Sequence, residues 1–183
     1  MTILALDLGN NLGWALLDAE TEALFDAGLV NAAKLGNDSP SRARAAMKLV
    51  REWFGTEELK GVSRHAWECL PDVIVYEDSF VIAGKWTGAK SITQWGQAVV
   101  SEFAPDVRCI ALKATAVKAA ATGRGNAHKE TVVLAMRQQV CNAGPLLDAV
   151  CRTKREHIAD AIAIGLCAAR LLRTEERVRA STQ

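Results

Sequence analysis

Four side chains in this 183-residue chain are of types that hold a hard divalent cation, and each falls where it needs an explanation. Asp7 lies within TILALDLGNNLGWALL. There Ile3 to Leu6 and Trp14 to Leu17 read as two buried strands joined by a turn through Gly9, Asn10, Asn11 and Gly13. A carboxylate near the end of a core strand costs several kcal/mol unless it is paired or bound to a metal. No Lys or Arg precedes Lys34 to neutralise it locally. Glu77, followed by Asp78, ends the apolar run Val73, Ile74, Val75, Tyr76, which repeats the arrangement. His157 and Asp160 are three residues apart in a strongly helical stretch, so they share a face with roughly 5–6 Å between their Cβ atoms. Singly, each has a plain account, an acid capping a loop or an Asp bonded to a neighbouring His. Together, O and N ligands from separate elements without thiolates suit Mg²⁺ or Mn²⁺. Two such ions held about 3.5–4 Å apart activate water and stabilise the leaving oxygen in phosphodiester hydrolysis.

The elements that must position these residues follow in order. The stretch from Ala23 to Ala32 reads as a third strand, completing an antiparallel meander. A helix is expected to start with Ser39 as N-cap and Pro40 at its first position, burying Ala43, Met47, Val50 and Phe54, with Arg42, Arg44, Lys48 and Arg51 on a solvated face. After a polar connection comes the Glu77 strand, then a loop with Gly84 and Gly88. A helix from about Ser91 to Phe103 presents Ile92, Trp95, Val99 and Phe103, and Val107–Leu112 forms a fifth strand. A crossover of that length implies a parallel pair. Asn126 is expected to cap a helix carrying Val132, Val133, Met136 and Val140. The closing helix runs from Glu156 to Leu172 with Ile158, Ile162, Leu166 and Ala169 on its apolar side. Residues 1–173 therefore read as one α/β domain and 174–183 as a charged, flexible tail.

Charge is distributed unevenly although the net value is only +1. Five acids and no bases precede Lys34, whereas Val107 to Lys129 holds five bases and no acid. A basic stretch facing an acidic centre is the pattern of a phosphate-binding surface, although a solvated face explains such a run equally well. Five cysteines, odd in number and without a CxxC, indicate neither a disulfide framework nor a zinc site. No apolar run approaches the ~18 residues of a membrane span, and no basic start or cleavage site marks a signal peptide. The expected compartment is the cytoplasm, that of the host cell for a viral gene.

Read beside these features, the chain resembles the RuvC Holliday-junction resolvases of the ribonuclease-H-like superfamily, in particular their phage-type relatives. LALDLGNNLGWAL is similar to the family's first hairpin with its metal-binding Asp, here Asp7. VIVYEDSF resembles the segment carrying the catalytic Glu, here Glu77, and Phe80 falls where the family stacks an aromatic on a base at the opened crossover. WGQA at Trp95 to Ala98 resembles the central helix. VKAAATGRGNAHK is similar to the basic segment whose two lysines, here Lys118 and Lys129, lie against the backbone near the scissile phosphate. HIADAIAIG resembles the closing helix, in which His157 and Asp160 complete the metal site. Two departures are Leu8, where cellular members commonly have Pro, and a longer spacer between Phe80 and Gly96.

The resemblance implies a mixed five-stranded sheet, three strands antiparallel and then parallel, flanked by helices. It implies a Mg²⁺-dependent endonuclease, with Mn²⁺ able to substitute and two ions per site, that resolves branched DNA and leaves a 5′-phosphate and a 3′-hydroxyl. Asp7 would bridge the ions, Glu77 and Asp160 would each hold one, and His157 would assist. Lys118, Arg124 and Lys129 would contact phosphates, and two active sites would come from a homodimer. Other readings are a resolvase-like nuclease acting on RNA, a non-catalytic binder of branched nucleic acid, and an actin-like ATPase, for which the chain is about half the needed length.

Overall fold

The computed structural model describes residues 1–54, 70–78 and 86–182, with residues 78 and 86–92 described by backbone alone. Its centre is a five-stranded sheet of β1 (Thr2–Asp7), β2 (Asn11–Asp18), β3 (Leu24–Asn31), β4 (Val73–Asp78) and β5 (Arg108–Lys113), in the order β3-β2-β1-β4-β5. β1, β2 and β3 pair antiparallel, whereas β1–β4 and β4–β5 are parallel. The expected mixed sheet is therefore present, strand by strand.

Alternation along the strands decides which way the acids point. Ile3 and Ala5 of β1, and Val73 and Val75 of β4, belong to one apolar layer with Ile158, Ile162 and Leu166. Leu4, Leu6 and Ile74 belong to the opposite layer, with Met47, Trp95 and Phe103. Because side chains alternate with period two, Asp7 and Glu77 continue the first series. They emerge on the face covered by the long helix α6 (Arg152–Ser181). The ladder pairs Leu6 with Tyr76, so the next step places the two acids on adjacent strand ends.

The other face is covered by α1 (Ser39–Glu52) and α2 (Trp86–Phe103), and α3 (Ala114–Thr122) and α4 (Lys129–Gln139) pack with α6. A short α5 (Ala143–Asp148) precedes α6. Several boundaries differ from the sequence pattern. The N-cap of α1 is Asp38, not Ser39: its carboxylate accepts from Ser41 N at 2.7 Å, while the Ser41 hydroxyl accepts from Asp38 N. This reciprocal box satisfies two N–H groups that a Ser39 cap would leave open. His128 occupies the N-cap of α4 without a side-chain bond, in place of Asn126. Helix α3 was not foreseen, because its Ala-rich sequence carries little amphipathic signal; it ends at Gly123, whose φ of 76° suits glycine.

Helix α6 continues past Leu172 to Ser181. Ion pairs support this extension. Arg170 and Arg173 both engage Glu22, and Arg108 reaches Glu175 at 3.2 Å. Cys109, Cys141, Cys151 and Cys167 are free thiols. No helix among the described residues is long and apolar enough to cross a membrane.

Candidate active site

The site lies where the C-terminal ends of β1 and β4 meet the start of α6. Its closest contact is between Asp7 Oδ2 and His157 Nδ1, 2.7 Å apart across 150 residues of chain. Gly13 makes this possible. A Cβ there would lie 2.2 Å from the His157 carbonyl oxygen and 2.7 Å from its carbon, so only glycine lets α6 settle on β2 at this depth. Gly13 is also the ladder partner of Asp7, so one point of close approach fixes both ends of the contact.

Asp160, one turn further along α6, forms an ion pair with Lys129 Nζ at 3.4 Å. Lys129 also approaches Glu156 at 4.0 Å, and Arg152 joins Glu156 to Glu130. The result is a chain of alternating charges running from the start of α4 into the site. Glu156 escaped the sequence reading, although its place one turn before Asp160 puts the two acids on the same helical face.

Electrostatics tie Glu77 to this group. Burial, followed by the charges of Asp7 and Asp160, pushes Glu77 up to about 7, against opposing pulls from Lys118 and Lys129. Burial and Asp7 likewise raise Asp160 to about 6, with Lys129 and His157 acting in the other direction. His157 is raised chiefly by its hydrogen bond to Asp7. Glu77 and Asp160 are thus partly dry and within electrostatic reach of Asp7, and the nearby cations do not fully offset the effect on these two.

Of the residues singled out from the sequence, Asp7, Glu77, His157, Asp160 and Lys129 come together, with Lys118 within electrostatic reach of Glu77. Arg124 is exposed just beyond α3, and its side chain makes no hydrogen bond or ion pair among the described residues. Phe80 lies outside the described residues. No three of the described His, Cys, Asp and Glu side chains form a ready-made coordination group. The Asp7 carboxylate is engaged by His157, and that of Asp160 by Lys129.

Sheet order, helix placement and the position of the acids define a ribonuclease-H-like α/β fold, and comparison with solved structures narrows it. The fold is that of the RuvC-type Holliday-junction resolvases. A structure of Thermus thermophilus RuvC is similar at a TM-score of 0.67 and 24% identity, covering 96% of this chain and 97% of that one. The yeast mitochondrial Holliday junction resolvase Ydc2 gives 0.62 and 13%, covering 92% of this chain and 77% of its own. The fowlpox virus resolvase, in complex with substrate Holliday junction DNA, gives 0.58 and 17% over 94% and 99%. No family model matches the chain, and no curated protein sequence matches it.

Proposed function

We propose that this protein is a divalent-metal-dependent endonuclease of the RuvC family that nicks branched DNA, with Holliday junctions as its leading substrate. One observation carries the reading: Asp7, Glu77 and Asp160 converge from three elements at the end of the sheet, two of them held well above ordinary carboxyl values by burial and by one another. Two carboxyls, Glu77 and Asp160, that resist ionisation beside a third acid fit a site built around a cation. Hard oxygen donors, an imidazole and no thiolate suit Mg²⁺, with Mn²⁺ as substitute. Asp7, Glu77 and Asp160 would hold two ions with help from His157. Bound there, such ions activate water and neutralise charge on the leaving oxygen.

The chain's own residues supply the rest. The His157 imidazole orients the Asp7 carboxylate through their 2.7 Å contact. Lys129 holds Asp160 until substrate arrives, then turns with Lys118 and Arg124 to backbone phosphates, each worth about one unit of salt dependence. Phe80 stacks on an unpaired base, worth about 1–3 kcal/mol. No Ser or Cys nucleophile is needed. Paired cuts in a four-way junction need two such sites, hence a homodimer. The same reading takes residues 1–173 as one nuclease domain working in the cytoplasm.

The test is nicking of a labelled four-way junction, a flap and a linear duplex, each with Mg²⁺ and with EDTA. Symmetric nicks confined to the junction establish a resolvase, and nicks in all branched substrates establish a broader debranching enzyme. Tight junction binding with no metal-dependent product overturns the enzymatic reading.

A further inference from the structure

Lys129 has two acidic partners, and only one of them belongs to the acidic centre. Its ammonium lies 3.4 Å from Asp160 and 4.0 Å from Glu156, one turn earlier on α6. Glu156 stands outside the HIADAIAIG segment that carries the family resemblance, which begins at His157. It is nonetheless held in place. Arg152 approaches it at 3.7 Å from the preceding turn, and Arg152 is itself held at 2.5 Å by Glu130, the neighbour of Lys129 on α4. Charges of alternating sign therefore run between the two helices, from Glu130 through Arg152, Glu156 and Lys129 to Asp160.

Exposure grades along this chain. Arg152 and Glu130 are more than three-quarters exposed, so their pair contributes little stability. Glu156 is 27% exposed and Asp160 22%, so Lys129 meets both acids where water and salt screen less. An ammonium on a four-carbon stem has three donors, enough to serve two carboxylates or to swing between them. Without Glu156 it would have Asp160 alone. Full closure on Asp160 would cover the oxygens that a cation needs and withdraw the ammonium from a phosphate. Asp160 is already the nearer acid, so the pull of Glu156 is what opposes closure.

We propose that Glu156 is a positioning residue, a second anchor that keeps Lys129 from closing on Asp160 and so leaves Asp160 available to a divalent cation and Lys129 to a phosphate. It touches neither ligand itself. The identity of those ligands rests on the nuclease reading above; the sharing of Lys129 between two acids does not.

Two binding measurements on the full chain separate this role from that of a plain negative charge. Mg²⁺ affinity is read by isothermal titration calorimetry without DNA, and affinity for a four-way junction is read in EDTA over a range of salt concentrations. Glu156→Gln should lose on both counts. Mg²⁺ should bind about threefold more weakly, the scale of one partly exposed ion pair. The junction should also bind more weakly, with a salt dependence shallower by about one unit, that of one phosphate contact. In a Lys129→Met background the same substitution should leave the salt dependence where it is. A charge acting only through its field predicts opposite signs, weaker Mg²⁺ binding but tighter junction binding, because a group that repels DNA has been removed. Tighter junction binding in Glu156→Gln, or an equal loss with and without Lys129, overturns the second anchor. Both losses in a chain that never nicks keep the anchor and remove the nuclease reading. Nicking with neither loss removes the anchor and leaves the nuclease.

Discussion

Replacing Glu77 with Gln should make the metal-free protein more stable while removing its nicking activity. Glu77 is raised from an ordinary 4.5 to about 7, first by burial and then by Asp7 and Asp160. Between those values the folded protein keeps a proton that the unfolded chain releases, so stability falls as pH rises through this window. At pH 8 the full cost of ionisation would be roughly 3 kcal/mol; partial exposure of the side chain screens this to about 1–2 kcal/mol. Gln keeps the shape and never ionises. In EDTA at pH 8, Glu77→Gln should therefore raise Tm by about 4 °C, a gain that vanishes at pH 4, where the carboxyl is neutral in both states. Millimolar Mg²⁺ should stabilise the parent and have much less effect on the variant, because ligand binding to the native state is what raises Tm. Differential scanning calorimetry at the two pH values, with and without Mg²⁺, reads all of this. A variant less stable than the parent at pH 8 in EDTA, or an equal Mg²⁺ shift in both, would refute the crowded-carboxyl reasoning.

Asp7→Asn should abolish nicking while leaving junction binding largely intact, and by weakening the bond to His157 it should lower the imidazole pKa in an NMR titration. Unchanged nicking would sink the proposed site. Gly13→Ala places a methyl group against the His157 backbone and should cost about 1–3 kcal/mol, read as a lower urea midpoint; an unaltered midpoint would mean that α6 does not press on β2 there. Asp38→Ala removes the capping box of α1 and should cost about 1 kcal/mol, read as a lower urea midpoint.

The sheet was legible because its strands are either continuous apolar runs or bounded by Gly and Asn turns, and the sequence separations allow few other pairings. Alternation then carried Asp7 and Glu77 to one face without any knowledge of contacts. What escaped has common physical causes. Helix α3 is built from alanines that carry propensity but no stripe. The far end of α6 is held by Glu22 and Arg108, partners distant in sequence that a local pattern does not register. The caps of α1 and α4 each fell a residue or two from their expected positions, because several polar residues compete there and only backbone geometry selects among them. Glu156 stood in plain view beside Asp160, yet its link to Lys129 depends on how α4 docks.

The contact between Asp7 and His157 closes a loop of 150 residues, and the Thr2–Asp72 bond joins β1 to the start of β4 across 70. No single element holds the whole acidic cluster, which is drawn from β1, β4 and α6. During synthesis the strand bearing Asp7 emerges before the helix bearing His157 and Asp160, which follows all five strands of the sheet. Such long-range closure is slow and entropically costly, so the cluster forms with the fold as a whole and not ahead of it. A nascent or partly unfolded chain therefore carries the acids without the arrangement that brings them together, and the cluster is completed in a single step, when α6 docks on the sheet.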